Sequence, residues 1–493
     1  MSRMSRILNI LSLVAIVIAV VITIVIFKVS LTDVSVSWFI VPSVLGVSFY
    51  LKKKMNEKNI EIYGIGAVVG IVIGVVLYML SNTYLFSEGT YIEAAKPSSE
   101  KIELHPDAKH TRVITKKMAL VLAKQSISKK VDGVNISTQF SLNASAGSLQ
   151  LVDGKLTWVF PLDYQGFVKY LNQDYVPGYV KVPATDGEGK AVLVSNKKIK
   201  VTENAWFGDS ISLIGWKESN FGVYSYHFEI DEEGTPYWIV VAKKSLNLGG
   251  RVRVVDFVTV INAETKEKVK GSVEEITEQF PWIDKIVDED QAENILDGYL
   301  MLKNGWFNQL PILGPKENIA KPTSYNGREL WLVQINGRTY YISGLSSITS
   351  NDSSLIGVVF QDSITGETFI NDNITGMDES AAVKAIEGAL GNDAVKWNVV
   401  LPQLVEYNGK WYWSATIISG SGFFQKVGVV QIDNSKNVFF GKSVQLALES
   451  SSYFEDGYKG QSTEMVTVPK NELIKLQKQL REMQQTLNVL LSK

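Results

Sequence analysis

The stretch Asp153-Gly-Lys-Leu-Thr-Trp158-Val-Phe joins a turn to an aromatic-rich strand, and three later stretches repeat this pattern. They read Glu233-Gly-Thr-Pro-Tyr-Trp238-Ile-Val, Asn326-Gly-Arg-Glu-Leu-Trp331-Leu-Val and Asn408-Gly-Lys-Trp-Tyr-Trp413-Ser-Ala. The tryptophans lie 80, 93 and 82 residues apart. An Asx-Gly pair between apolar runs is typical of a β-hairpin, because both residues tolerate positive φ. We therefore predict four repeated units, with Trp158, Trp238, Trp331 and Trp413 in their cores.

Further strands and helices extend each unit. A second strand that runs into a turn follows the last three tryptophans, in stretches that begin at Val258, Gly357 and Gly428. Amphipathic helices are predicted over 114–124, 288–303 and 377–390, the last with a capping box that starts at Thr375. A helix that packs on a small antiparallel sheet is typical of the α+β class. We predict two α+β halves, over 113–270 and 271–462, with two repeat units each.

This arrangement resembles the PepSY family of small extracytoplasmic modules. The resemblance rests on a helix, a strand that opens with a Gly-x-x-Trp-like element, and a strand that ends in Asp-x-x-Thr-Gly. The third unit matches best through Asp362-Ser-Ile-Thr-Gly366, whereas the second unit has Lys266 in place of the glycine and the fourth has Ser435-Lys436. The resemblance implies a binding or regulatory module, sometimes linked to peptidase control, without catalytic residues of its own. Generic hairpins with aromatic strands are the alternative.

The first 86 residues are very apolar and predict a transmembrane anchor. We expect three spans, at about 7–28, 34–51 and 62–82, because about 20 apolar residues are needed to cross a bilayer as a helix. The middle stretch is the weakest, and two spans are the alternative. Three spans would keep both Arg3/Arg6 and the lysines at 52–54 in the cytoplasm, as the positive-inside rule favours. The predicted protein is therefore integral to the lipid bilayer, with a cytoplasmic N-terminus, a polar linker over 87–112 and an extracytoplasmic large domain.

Two helices carry self-association signals. In the third predicted span, Gly66, Gly70 and Gly74 form a flat face for close helix packing, within one chain or between chains. Near the C-terminus, leucine and methionine residues follow a heptad pattern and predict a homotypic coiled coil over 466–493. This seam consists of Leu473, Leu476, Leu480, Met483, Leu487 and Leu490. An amphipathic helix that packs on its own domain is the alternative.

The composition excludes several kinds of chemistry. The chain has no cysteine, which removes disulfides, cysteine nucleophiles and thiolate metal sites. Its net charge of −2 gives no electrostatic case for nucleic acid. The three histidines, His105, His110 and His227, lack partners with metal-ligand or catalytic-triad spacing. A calcium loop that starts at Asn371 fails because Ala382 stands where a glutamate is required.

These observations favour a non-enzymatic protein without metal or cofactor. We expect a homo-oligomer that acts in assembly or binding through its repeated modules, with a possible extracytoplasmic protein partner. A PepSY-like regulator or sensor of an extracytoplasmic peptidase or ligand is one alternative. A carbohydrate-active enzyme is another, since glycosidases need only two carboxylates.

Overall fold

This computed structural model describes most of the chain beyond residue 86. The described ranges are 87–100, 103–128, 130–131, 134–247, 250–309, 319–347 and 354–457, together with Val14, Ile18, Lys28 and Ser30. By its internal contacts the chain divides into two units, Met1–Leu448 and Glu449–Lys493. The first unit contains every sheet described below. The described part of the second unit is the end of one helix.

Strands hold more of the described residues than helices do. The helices are α1 Glu88–Ala95, α2 Lys116–Ile127, α3 Phe167–Asn172, α4 Ile211–Glu218, α5 Val273–Gln279, α6 Glu289–Leu302, α7 Glu379–Leu390 and α8 Val444–Gly457. The first strands are β1 Lys130–Val131, β2 Val134–Asn135, β3 Phe140–Leu142, β4 Ser148–Val152, β5 Lys155–Tyr164, β6 Tyr179–Pro183, β7 Val192–Val194, β8 Val223–Ile230, β9 Pro236–Ser245, β10 Arg253–Asn262 and β11 Lys268–Gly271. The remaining strands are β12 Ala320–Pro322, β13 Trp331–Ile335, β14 Arg338–Ser347, β15 Ser354–Leu355, β16 Gly357–Asp362, β17 Thr368–Asn371, β18 Gly376–Met377, β19 Trp397–Tyr407, β20 Lys410–Ser419, β21 Phe424–Gln431 and β22 Asn434–Gly441.

Four antiparallel sheets follow one another along the chain, and each belongs to one module. Module 1 (residues 113–194) has the order β3-β5-β6-β7 with β4 also paired to β5, and module 2 (200–271) has the order β8-β9-β10-β11. Module 3 (286–371) has the order β12-β14-β16-β17 with β13 paired to β14, and module 4 (376–441) has the order β19-β20-β21-β22. Helices α2, α4, α6 and α7 begin the modules in turn and pack on their sheets.

Two-residue turns connect β4 to β5 in module 1, β13 to β14 in module 3 and β19 to β20 in module 4. Asp153–Gly154, Asn336–Gly337 and Asn408–Gly409 all have positive φ at both residues. This backbone conformation defines a type I′ turn, whose twist matches that of the flanking strands. The Asx-Gly pattern thus sets the hairpin register in modules 1, 3 and 4, and module 2 uses a longer loop that contains Gly234.

One aromatic side chain in each module ties the sheet to the backbone that precedes the helix. Each aromatic donor lies on the central strand that follows the hairpin, and its ring N–H or hydroxyl donates to a backbone carbonyl at 2.8 Å. The four bonds run from Trp158 to Ile114, from Trp238 to Val201, from Tyr341 to Val287 and from Trp413 to Met377. We call these four donors the anchor aromatics and the four acceptors the anchored residues.

The same anchored residues are also held from the other side. The backbone N–H of each donates to a carbonyl at the end of the third strand, at 2.8–3.1 Å. These carbonyls belong to Ala184, Ala263, Ser363 and Ile432. In every module this residue lies two positions beyond the cross-strand partner of the anchor aromatic, as in Trp158 opposite Val182. The same strand register therefore determines, in all four modules, where the segment ahead of the helix is hydrogen-bonded to the sheet.

Module 3 follows this rule with a tyrosine that the sequence pattern did not single out. Tyr341 lies five residues after Asn336, as Trp158 lies five residues after Asp153. Trp331 instead lies on β13, where its neighbour Leu332 is the residue opposite Tyr341. Because successive strand residues point to opposite faces, Trp331 points away from the face that carries Tyr341. In module 3 the anchor aromatic is therefore Tyr341, and Trp331 does not have this role.

The residues predicted to be a linker pack into the folded unit. In α1, Tyr91, Ala94 and Ala95 are buried against Val252, Ile295 and Leu302. Pro97 pairs with Thr368 of β17 in a parallel bridge. The segment 87–112 therefore adds an outer helix and a strand-like edge contact to the modules.

The predicted three-helix transmembrane anchor was wrong, and the fold class and the integral-membrane, extracytoplasmic localisation built on it were wrong as well. In the part of the chain that the structure describes, no helix has both the length and the apolar content needed to cross a membrane. The longest helices there, α6 and α8, have 14 residues each, whereas a span needs about 20. Apart from isolated residues, the three predicted spans lie outside the described residues.

We predict that Tyr341→Phe lowers the free energy of unfolding by about 1–3 kcal/mol, because the Val287 carbonyl loses a buried donor. Urea denaturation measures this change. Tyr175→Phe is the matched control, since Tyr175 is 38% exposed, and its change should stay within about 0.5 kcal/mol. Equal changes for the two variants would show that the hydroxyl bond does not hold the module together.

Candidate functional site

The segment that leads into α2 is held by the sheets of modules 1 and 4. The carbonyl of Arg112 accepts a hydrogen bond from the Gln403 side chain on β19. The carbonyl of Val113 accepts from the Thr416 hydroxyl on β20 at 2.9 Å, and the N–H of Val113 donates to Ala184 at 2.7 Å. The backbone of Arg112 is thus fixed on both sides before its side chain is considered.

The Arg112 guanidinium is buried between two indole rings. The residue is 3% exposed, and its Cζ lies 5.7 Å from the centre of the Trp158 ring and 6.0 Å from that of Trp331. Its Nε and Nη2 atoms are buried and donate to no acceptor in the part of the chain that is described. Since buried donors in native proteins are nearly always paired, two open donors on one cation indicate a place for an acceptor from outside the chain.

Trp331 adds a third open donor beside Arg112. Its Nε1 is buried and has no acceptor within the described ranges, whereas the Nε1 of Trp158 is satisfied by Ile114. The Cζ of Arg328 lies 5.4 Å from the Trp331 ring centre, and its Nε lies 3.1 Å from the carboxylate of Glu289. Trp331 therefore lies between two guanidinium groups, one of them already ion-paired.

These groups line a cavity of about 230 Å³, which we call the Arg112 cleft. Its lining consists of Arg112, Thr115, Lys116, Trp158, Tyr325, Asn326, Arg328, Trp331, Val400 and Leu401. Three of these residues are cations, and none is Asp, Glu or His. The cleft also adjoins the N-terminus of the 12-residue helix α2, whose Thr115 hydroxyl accepts a hydrogen bond from the Met118 N–H. The three cations and the helix N-terminus together give the Arg112 cleft an electrostatic potential that favours a negatively charged ligand.

Burial works against the positive charge of this cleft. Burial first, and then the charge of Arg328, lower the pKa of Arg112 to about 9. Burial also lowers the pKa of Lys116, and the charges of Lys285 and Arg328 add to this effect. A cation over an indole gains about 0.5–2 kcal/mol, whereas removing it from water costs several kcal/mol. The two indoles therefore offset only part of the cost of burying Arg112.

The wall contributed by module 4 is strained. Leu401 has φ +58°, within a β-bulge between Val400 and Gln403 in the β19–β20 pairing. A bulky residue held at positive φ costs of the order of 1–3 kcal/mol and is often found at a functional site. The bulge places Val400 and Leu401 in the cleft lining and Gln403 against the Arg112 backbone. Local strain and an unpaired cation thus occur at the same place.

The site residues predicted from the sequence lie in different parts of the structure. Trp158 and Trp331 meet at Arg112, whereas Trp238 and Trp413 are buried anchor aromatics in modules 2 and 4. The predicted helix-packing and coiled-coil residues lie outside the described residues: Gly66, Gly70, Gly74, Leu473, Leu476, Leu480, Met483, Leu487 and Leu490. The sequence analysis missed Arg112, Lys116 and Arg328, and no spacing or motif sets these cations apart from others in the chain.

The histidines show no metal site within the described ranges. His105 stacks on Trp411 with ring centres 5.9 Å apart, and His110 lies 2.7 Å from the Asp107 carboxylate. His227 on β8 lies 2.9 Å from the carboxylate of Glu229. All three are thus engaged by neighbouring side chains.

Glu229 belongs to a buried cluster that lines no part of the Arg112 cleft. Its carboxylate accepts a hydrogen bond from the Asp284 N–H at 3.2 Å, and the Asp284 carboxylate accepts from the Leu151 N–H. Burial raises the pKa of Glu229 to about 8 and that of Asp284 well above its usual value. Burial also lowers the pKa of His227 and of Lys285. The cluster joins β4, β8 and the segment ahead of α6, and it makes stability depend on pH.

We predict that the free energy of unfolding falls as pH rises from about 6.5 to about 8. A carboxyl whose folded pKa is raised stabilises the fold below its unfolded pKa and loses that contribution as pH rises through the folded value. His227, with its lowered pKa, has the opposite slope, but this slope ends near the unfolded histidine pKa of about 6.5. Glu229→Gln should flatten the fall, as measured by urea denaturation across this pH range. An unchanged slope in the variant would assign the titration to another group.

We also predict that Arg112→Met raises the free energy of unfolding of the unliganded protein by roughly 1–4 kcal/mol. Methionine has similar length and removes a buried charge whose Nε and Nη2 have no hydrogen-bond acceptor among the described residues. The control is Arg338→Met, since Arg338 is 53% exposed and pairs with Asp362 at 2.7 Å. That variant should lower the free energy of unfolding, the opposite sign, because it leaves the Asp362 carboxylate, which is 5% exposed, without its cation. If Arg112→Met is destabilising instead, Arg112 contributes to the fold and is not held there for a ligand.

Comparison with known proteins gives no match for this chain. No family model matches it, and neither does any curated protein or solved structure. The resemblance of the repeated units to the PepSY family therefore stays a prediction from the sequence.

Proposed function

We propose that this chain is a binding protein for a small organic anion. In this proposal the Arg112 cleft holds a carboxylate with its cations and packs the apolar part of the ligand against Trp158 and Trp331. The observation that carries the proposal is the buried Arg112 guanidinium, which has two open donors and no acid in its cleft.

An anion fits the charge of the cleft. Arg328 is already paired with Glu289, but Arg112 has no carboxylate partner within the described part of the chain. A bound carboxylate would accept charge-assisted hydrogen bonds from Arg112, each worth about 1.5–3 kcal/mol. It would also stabilise the charged form of Arg112, whose pKa burial lowers to about 9. Binding of a carboxylate would therefore also offset the cost of burying the Arg112 charge.

The rest of the lining favours a small ligand with a flat apolar group. The cavity of about 230 Å³ is below the roughly 300–1,000 Å³ of most drug-sized ligand sites. Trp158, Trp331, Val400 and Leu401 supply apolar surface. The guanidinium plane matches the two oxygens of a carboxylate. An aryl carboxylate about the size of benzoate is small enough for the cavity, has a flat apolar ring, and carries the two oxygens that a guanidinium binds.

Binding fits this lining better than catalysis does. A general acid or base is usually a histidine, carboxyl, lysine, tyrosine or cysteine with a pKa near the working pH. The cleft has no histidine or carboxyl, and its lysine and tyrosine are Lys116 and Tyr325. The Tyr325 hydroxyl donates to the Val399 carbonyl at 2.9 Å, and burial raises its pKa further from neutrality. In this proposal the cleft binds its ligand without reacting with it.

The other parts of the sequence-based hypothesis stay predictions. Oligomerisation through 466–493 rests on residues outside the described ranges. A regulatory role of the PepSY kind would be compatible with a ligand-binding cleft between modules, since a sensor needs a bound ligand to respond to. Neither idea is required for the binding proposal.

The test is a titration of the full chain with benzoate, followed by tryptophan fluorescence and by thermal unfolding. We expect benzoate to raise the unfolding temperature and to change the emission of the two cleft tryptophans. Benzamide has the same shape without the charge and should do neither. Arg112→Met should weaken benzoate binding at least tenfold, because loss of one charged hydrogen bond of about 1.5 kcal/mol gives this factor.

Arg338→Met serves as the matched control and should bind benzoate like the wild type, since Arg338 lies outside the cleft lining. Equal effects of benzoate and benzamide, or unchanged benzoate binding by Arg112→Met, would contradict the proposal. Inorganic phosphate in place of benzoate separates the two anion classes: stronger binding of phosphate would contradict the choice of a carboxylate.

A further inference from the structure

An exposed apolar surface lies where α3 of module 1 meets the start of module 2. Six large apolar side chains form it, and each of these residues is 38–68% exposed. We call this surface the Phe207 patch, and its members are Phe167, Val168, Leu171, Tyr175, Trp206 and Phe207. The patch shares no residue with the lining of the Arg112 cleft. It is therefore a separate feature of the molecule.

Helix α3 carries the first part of the patch. No residue of this helix is buried. Phe167, Val168 and Leu171 lie on one side of it, because positions i, i+1 and i+4 span only about 100° around a helix axis. Apolar side chains that share one side of a helix normally pack it onto the core. In α3 they face the solvent instead.

A tight turn at the start of module 2 carries the other part. Residues Phe207–Asp209 form a single 3₁₀ turn directly after Trp206. The Tyr170 hydroxyl of α3 donates to the Trp206 carbonyl at 3.0 Å. The centre of the Phe167 ring lies 5.0 Å from that of Trp206 and 6.5 Å from that of Phe207. The helix and the turn therefore present one continuous surface, whose two parts are fixed relative to each other before any partner binds.

The backbone of Phe207 is strained, and its side chain is not buried in return. Its φ is +54°, in the left-handed region that bulky residues rarely adopt. The residue is 66% exposed. A glycine would adopt the same backbone conformation without strain. The chain by itself thus carries a cost at Phe207 that burial of the ring does not offset, and a backbone outlier of this kind points to a functional surface.

The size of the Phe207 patch matches the centre of a dimer interface. Burying an aromatic side chain completely removes about 150–250 Å² from solvent, so the six partly exposed side chains leave roughly 600 Å² to be buried. The largest apolar patch on a typical monomer is about 300–600 Å² and often functional. A stable interface buries about 800 Å² on each partner. The patch therefore supplies most of one side of such an interface, and a narrow polar rim supplies the rest.

A second copy of the chain suits this surface better than a partner of another kind. Interfaces between identical subunits are more apolar than those between transient partners, and aromatic residues are enriched in interfaces. Four of the six patch members are aromatic. Because attraction between apolar surfaces is non-directional, the patch is complementary to itself across a two-fold axis. The net charge of −2 on 493 residues gives little repulsion between copies.

We infer that the Phe207 patch is the centre of a homodimer interface, in which it packs against the same patch of a second copy about a two-fold axis. Trp206 and Phe207 are the expected anchors of this interface, since large aromatic side chains dominate the binding energy of most interfaces. Dimerisation buries the Phe207 ring and thereby offsets the strain of its backbone. The interface is separate from the Arg112 cleft and does not rest on the function proposed for it.

The experiment is sedimentation velocity of the full chain over a wide range of concentrations, for the wild type and for Phe207→Gly. We expect the wild type to form a reversible dimer. Phe207→Gly should raise the dimer Kd at least tenfold, because it removes an interface aromatic from both copies at once. Phe423→Gly is the matched control and should dimerise like the wild type, since Phe423 is also exposed but lies between β20 and β21 of module 4.

Urea denaturation at a concentration where the wild type is monomeric separates loss of the interface from loss of the fold. Phe207→Gly should be at least as resistant to urea as the wild type, because glycine removes the positive-φ strain. Leu171→Glu provides a second variant. It places a carboxylate on a side of α3 that is exposed in the monomer, where it costs little, but would bury that charge in the dimer. It should therefore also raise the dimer Kd at least tenfold.

The inference is overturned if the wild type is monomeric at every concentration, or if Phe207→Gly and Leu171→Glu associate like the wild type. The second result includes an oligomer that forms through 466–493 alone. Vesicles of phosphatidylcholine test a lipid surface as the occupant. Binding of the monomeric wild type to these vesicles, abolished by Phe207→Gly, would assign the patch to lipid and would also overturn the inference. None of these results bears on benzoate binding through Arg112.

Discussion

The modules of this protein depend on one hydrogen bond, between an aromatic donor on the sheet and the backbone carbonyl that precedes each helix. The bond is 2.8 Å long in all four modules, and the residue that accepts it also donates its N–H to the third strand. A buried carbonyl without its donor would cost about 1–3 kcal/mol. The helix segment is therefore held to the sheet at one position, and the orientation of everything that follows depends on it.

The candidate site involves module 3, where a tyrosine makes the hydrogen bond that a tryptophan makes in the other three modules. Tyr341 takes the anchoring role, so that Trp331, on the opposite face of the hairpin, is available to pack against Arg112. Arg112 has a backbone fixed by modules 1 and 4 and a guanidinium whose Nε and Nη2 donate to no acceptor among the described residues. We expect the fold to be more stable without this charge, because two cation–π contacts offset only part of its desolvation. The expected stability cost and the positive φ of Leu401 occur at the same place, and together they support the proposed binding role.

The sequence allowed part of this to be predicted. The Asx-Gly turns at Asp153 and Asn408 and the helices ahead of the sheets follow local rules of backbone conformation and periodicity. The third unit was assigned to Asn326-Gly, but Asn336-Gly five residues ahead of Tyr341 forms the equivalent hairpin, and both pairs have positive φ. Only cross-strand pairing distinguishes them. The cleft could not be predicted, because Arg112, Arg328 and Leu401 are distant in sequence and meet only through tertiary packing. The transmembrane anchor was inferred from apolar content alone.

A crystal structure of the protein soaked with benzoate tests the central claim most directly. The expected result is a carboxylate with its oxygens within about 3 Å of the Nε and Nη2 atoms of Arg112, and the benzoate ring packed against the indoles of Trp158 and Trp331. An ordered water network, or a carboxylate of the protein itself, that satisfies these donors in the presence of benzoate would contradict it. In that case Arg112 would be a structural residue, and the cleft would not be a ligand-binding site.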